Sequence, residues 1–127
     1  MNPPMHTRVR NYFEDAGLLT GFTPQLLVWN DTGQLTEAFM VFRPNGGSSI
    51  QHDLGSEYYV MVDVVGAKGG NSAADAAMQA IIDYVQKNPM TDNCVGYLQN
   101  LGGIPAPVLT TEGRLVYRLQ FVATYGD

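Results

Sequence analysis

The sequence predicts an α+β fold, a mostly antiparallel single sheet with two helices packed on one face. Three observations carry that expectation. Residues 114–125 alternate, so that Leu115, Tyr117, Leu119, Phe121 and Ala123 share one face and Val116, Arg118, Gln120, Val122 and Thr124 the other. Residues 57–65 read Glu-Tyr-Tyr-Val-Met-Val-Asp-Val-Val, a run of β-branched and aromatic types suited to a central strand. Two other segments repeat apolar residues at intervals of three and four, the period of a helix with one face to bury.

Taken in chain order, Val9, Tyr12, Phe13 and Ala16 define a short amphipathic helix after Pro3-Pro4, and Gly17 supplies a left-handed stop. Residues 25–30 carry Leu-Leu-Val-Trp between polar ends. With the turn residues Asn30-Asp31-Thr32-Gly33 and the apolar stretch 38–42, they read as a hairpin or a closely related turn. Pro, Asn, Gly and Ser at 44–49 predict a loop, and Asp63 falls among apolar neighbours in the strand that follows. After the Gly-rich residues 66–71, Ser72 and Asp75 have the spacing of a capping pair. Ala74, Ala77, Met78, Ile81, Ile82 and Val85 form one stripe of the second helix, which Asn88-Pro89 ends. Residues 94–101, 108–110 and 114–125 are strands, broken at 102–107 and turned at Glu112-Gly113.

The chain has 127 residues, 45% of them hydrophobic, enough for one domain spanning 1–127 with a real core. Charged residues make up only 15%, against about 25% in ordinary soluble domains, and the cores of protein interfaces are depleted in the same way. A solitary neutral surface would give the same figure. A net charge of −5, with seven scattered basic residues, argues against nucleic-acid binding, which needs clustered cations. The lone Cys94 excludes an internal disulfide. Residues 1–6 lack the apolar stretch of a signal peptide and no apolar run is long enough to span a bilayer, so a soluble protein without membrane contact is expected.

Tests for chemistry return nothing specific. Lys68 precedes Gly69-Gly70-Asn71-Ser72, whereas a phosphate loop needs Gly-Lys-Ser or Gly-Lys-Thr leading into the helix. His6 and His52 belong to no metal-ligand pattern and read as surface or turn histidines. Cys94 has no local base and reads as a buried, inert thiol. Glu57 and Asp63 share a strand face but lie roughly 20 Å apart at about 3.3 Å per residue, too far to act on one bond. No Gly-x-Ser-x-Gly elbow exists. Trp29 and the tyrosines lack the basic groove of a single-strand binder, and read as core and sheet packing. No catalytic, cofactor or metal site is expected, and no enzyme.

The order of elements, the Gly-rich turn into an Ala-rich helix, and the ending Gly113-Arg114-Leu115-Val116-Tyr117-Arg118-Leu119-Gln120-Phe121 through Tyr125-Gly126-Asp127 resemble the tail terminator proteins of long-tailed bacteriophages. The resemblance implies a small α+β virion subunit forming a six-membered ring on the tail tube at the head-proximal end. Such a ring stops tube polymerisation, meets the head–tail connector protein, and lets DNA pass without specific binding. It implies assembly in the host cytoplasm, no cofactor and no catalytic residues. Another neck or connector subunit, or a small ligand-binding domain using residues 66–72, are the alternatives. Gly-rich loops on a rigid sheet commonly carry recognition, which makes Arg43, Asp53, Lys68, Gly69, Gly70 and Asn71 the candidate contact residues.

Overall fold

The computed structural model describes residues 3–49 and 55–126. The elements run α1 (Met5–Asp15), β1 (Thr23–Leu26), β2 (Phe39–Gly47), β3 (Ser56–Val65), α2 (Asn71–Lys87), β4 (Tyr97–Leu101), β5 (Val108–Leu109) and β6 (Leu115–Tyr125). Strands follow the order β1-β2-β3-β6-β4, with β5 also on β6, and every pairing except β1 with β2 is antiparallel. The α+β expectation therefore holds.

Both helices cover one face of the sheet. Val9 and Phe13 of α1 and Ala74, Met78, Ile81 and Val85 of α2 pack onto Phe42, Val62, Leu119 and Phe121 with almost no exposure. Phe13 meets Phe42 and Phe121 edge-on, with centroids 5.9 and 5.7 Å away, so one ring from α1 bridges two strands. Burial of such a side chain stabilises by about 1.5–3 kcal/mol. Tyr12 of α1 lies beside Tyr84 of α2; burial, then the hydrogen bond and charge of Tyr84, push its hydroxyl up to about 12. Gly17 ends α1 with φ +77°, and Leu18 N–H reaches back to the Phe13 carbonyl at 3.0 Å.

The first strand pair departs from the hairpin expectation. Thr23 opposes Phe39 and Leu26 opposes Phe42, a parallel register. Parallel neighbours need a crossover of about a dozen residues, and 27–38 supplies it. The Gln25 side-chain amide holds the start of that crossover, donating to the Asn30 carbonyl and accepting from the Asn30 N–H, each at 2.8 Å. Glu37 holds the end, accepting from Thr23 at 2.8 Å and Thr32 at 2.6 Å. Those bonds from Thr32 and Thr23, with Arg114 nearby, keep its carboxyl below the usual pKa. Residues 30–33 bend only at Gly33, whose N–H donates to the Asp31 side chain at 2.9 Å, and the chain turns at 35–36 instead, within a crossover that lies over the second face of the sheet. There Trp29 covers Phe39, Val41 and Val65.

Arg114 fixes the crossover in place. Its side chain is fully buried, and it donates to the carbonyls of Glu37 (2.7 Å), Gln34 (2.9 Å) and Gly66 (3.1 Å). Its guanidinium lies 5.5 and 5.6 Å from the rings of Trp29 and Phe39.

Four further expectations are corrected. Residues 44–47 extend β2 instead of forming a loop, with a register shift between Pro44 and Gly47. Gly47 is required there, because a Cβ would stand 2.2 Å from the Glu57 carbonyl oxygen. Helix α2 begins at Asn71 after Gly70 without a side-chain cap, and Asp75 instead accepts a hydrogen bond from the Tyr117 hydroxyl at 3.0 Å. His6 is buried in α1, not on the surface, since it faces the chain of β2 and β3 around Pro44 and Tyr58. Cys94 is exposed, because the turn before β4 is held by Asp92 accepting from the Cys94 and Val95 N–H groups. His52 lies outside the described residues.

Replacing Arg114 by Met leaves three carbonyls without their charged donor and is expected to cost about 3 kcal/mol or more. A lower urea midpoint at unchanged slope would register this, and Arg114→Lys should recover only part, since an ammonium lacks the planar fork. Burial also holds the His6 pKa below its ordinary value. The unfolded chain then takes up a proton more readily than the native one, so stability present above about pH 6.5 is lost as pH falls toward the folded-state pKa. Tm should fall as pH drops below about 6.5, and His6→Gln should flatten that slope.

Candidate functional site

Three surfaces remain once the core is closed. The first is the part of the second sheet face that the crossover leaves open. Val41, Asp63 and Arg118 lie opposite one another on β2, β3 and β6. Arg118 donates to Asp63 through Nε at 2.9 Å and Nη2 at 3.2 Å, and Arg43 through Nη2 at 2.6 Å. Asp63 is buried, Arg43 half-buried, and the Arg118 side chain 57% exposed. Two guanidiniums against one carboxylate leave one surplus positive charge in a chain whose total is −5. The hydrogen bonds and charge of Asp63 raise the Arg118 pKa further. In the adjoining row Gln120 accepts from Asn45 at 3.0 Å through its side chain and from Asn100 at 3.1 Å through its carbonyl.

The Gly-rich turn is the second surface. The N–H groups of Gly66, Lys68, Gly69 and Gly70 donate to the carbonyls of Leu115, Leu35, Gly113 and Ala67. Those donors are spent inside the fold, so the turn does not present the row of free amides that an anion cradle requires. Lys68, Gly69 and Asn71 are exposed and Gly70 half-buried, so these four candidate contact residues do stand together. Arg43 does not join them: its β3 neighbour Met61 is five residues from Gly66, roughly 16 Å of strand. Asp53 lies outside the described residues. Among the described residues no group of three or more His, Cys, Asp or Glu side chains is placed to hold a metal ion, and no helix is long and apolar enough to cross a membrane.

The third surface was not anticipated. Large apolar side chains are exposed at both borders of the sheet. Leu27 and Val28 lie beyond β1, Leu35 lies in the crossover beside Lys68, and Met90, Leu101, Ile104, Val108 and Leu109 lie around β4 and β5. On the β4 side a groove of ≈590 Å³ runs between α2 and β4, lined by Ile82, Val85, Pro89, Leu98 and Ile104 among others. The sequence carried a signal only at Ile104, an apolar residue inside the interruption at 102–107; Leu27 and Val28 read as part of a strand.

Removing the carboxylate with Asp63→Ala should cost about 3 kcal/mol, since it strands the partly buried Arg43. Arg118→Ala should cost less than about 1 kcal/mol, because that side chain is mostly in water. Chemical unfolding of the two variants side by side measures the difference.

A comparison with curated proteins gives no match. A protein-family model described as phage tail termination protein matches residues 2–127. With nearly the whole chain covered, the protein belongs to the phage tail termination protein family and is a structural component of a bacteriophage tail.

Proposed function

We propose that copies of this chain, each acting as one domain, close into a six-membered ring on the head-proximal end of the tail tube. The ring stops tube polymerisation and presents its other side to the head–tail connector protein. Assembly takes place in the host cytoplasm, and the finished virion retains the ring.

The observation that carries this reading is the placement of exposed apolar side chains at two different borders of one sheet. Rings are built from heterologous contacts, in which one surface meets a different surface of the next copy, so each subunit needs two unlike patches. A self-complementary dimer needs only one. The turn bearing Lys68, Gly69, Gly70 and Asn71, with Arg43 and Asp53, is assigned to contacts with neighbouring subunits or with the tube and connector proteins. The reading requires no reaction and no cofactor. DNA passes through the ring without specific binding, consistent with the net charge of −5. A phosphate-ligand role for the turn is disfavoured by its internally bonded amides.

Native mass spectrometry and electron microscopy, on the protein alone and with tail tubes, test the proposal. A discrete ring, free or on tube ends, is expected. A strict monomer that ignores tubes would overturn it. Loss of the protein should give tails of uncontrolled length; normal tails left unattached to heads would assign it instead to the neck.

A further inference from the structure

Leu27 is the only non-glycine residue with a positive φ, +73°, among the described residues. Val28 N–H donates to the Leu26 carbonyl at 2.9 Å across it, which makes a three-residue turn of the rare left-handed kind. A branched side chain in that conformation is strained, and such strain persists where the surroundings or a function demand it. The turn buries nothing in return: Leu27 is 53% and Val28 66% exposed. It ends the outermost strand on one side of the sheet. The α2–β4 groove lies at the opposite border, with Ile82, Val85 and Leu98 as its apolar floor and Ile104, 60% exposed, on its rim.

We infer that the Leu27-Val28 knob of one copy seats in the α2–β4 groove of the next copy, which rests on the ring reading given above. Charge supports a second copy as occupant. Each copy carries −5, so two copies repel one another at long range, and a meeting surface free of charge adds nothing to that repulsion. None of the described residues lining the groove is charged, and residues 26–30, Leu-Leu-Val-Trp-Asn, contain no ionisable side chain. The groove volume of ≈590 Å³ is in the range of ligand-sized clefts, about 300–1,000 Å³, with room for two aliphatic side chains. Knob and groove occupy different borders of one molecule, so each copy can give one and receive one, and the contact propagates head to tail.

Cysteine pairing tests this directly. Val28→Cys and Ile104→Cys are combined in a Cys94→Ser background, since the native thiol is exposed. Both sites are mostly in water, so the variants should fold as the parent does. Under mild oxidation the double variant should give a non-reducing ladder of covalent multimers ending at the ring size, whereas each single variant stops at the dimer. Val28→Asp should dissociate rings without lowering the Tm of the monomer. If rings are seen by native mass spectrometry but the double variant never passes the dimer, this inference falls while the ring reading stands. A chain that forms no ring, alone or on tubes, removes both. Protection of Ile104→Cys from maleimide by tail tubes, but not by ring formation, would give the groove to the tube protein and also overturn the inference.

Discussion

A single buried guanidinium sets the shape of half this molecule. Arg114 stands at the foot of β6 with no exposed surface, a position that a lone charge could not occupy without a large desolvation cost. Three backbone carbonyls and the faces of two aromatic rings meet that cost. Because those carbonyls belong to Gln34, Glu37 and Gly66, the cation ties the crossover to the end of β3 and the start of β6. Phe39, Val41 and Val65 then become core instead of bare sheet, and β2 arrives beside β1 in parallel. The same tie delivers the strained turn at Leu27 to the border, since the crossover begins there.

The crossover is too short to cover the whole second face, and the side chains change where it stops. Under it lie Phe39, Val41 and Val65; beyond it come Arg43, Asp63 and Arg118, then Asn45 and Gln120. Asp63 sits at that boundary, buried on the apolar side and bonded on the wet side. Two arginines solve its burial in different ways. Arg43 goes in with it, and Arg118 reaches over from solvent with a long aliphatic stem against the sheet. A surplus positive charge on an otherwise acidic molecule is the by-product.

How much of this was legible depended on the range of the interaction. The helices, the central strand and the alternation of β6 follow from local periodicity, and Tyr117, Leu119, Phe121 and Ala123 are buried as that alternation requires. Apolar residues at 25–29 and 38–42 say that two strands exist but not how they are oriented; orientation is decided by Arg114, more than seventy residues downstream. The burial of His6 and the exposure of Cys94 are likewise set by what α1 and the Asp92 turn pack against, and neither leaves a mark at the residue itself. The Asp63 pairing was half visible, because Asp63 and Arg118 lie on predicted alternating faces, yet only the register makes them opposite. Among the candidate contact residues, Lys68, Gly69, Gly70 and Asn71 stand together in one turn, while Arg43 is separated from them by much of a strand.

Sheet borders usually invite pairing of one backbone with another, and both borders here are poor templates for it. On β1, Pro24 offers no outward N–H, and the Leu26 carbonyl is already engaged by Val28. On β4, the Leu98 N–H is taken by the Pro89 carbonyl, and Pro89 has no donor to return. A continuous ladder from copy to copy is thereby blocked, which guards an assembly subunit against indiscriminate polymerisation through its edges. What remains for recognition is side-chain shape: a two-residue apolar knob on one border and an uncharged groove on the other. Contacts of that kind fix one angle between neighbours and give a ring where that rotation closes, whereas sheet edges extend as long as subunits are supplied. In the proposed ring, a protein whose family terminates a polymer would meet its own copies through side chains and not through sheet edges.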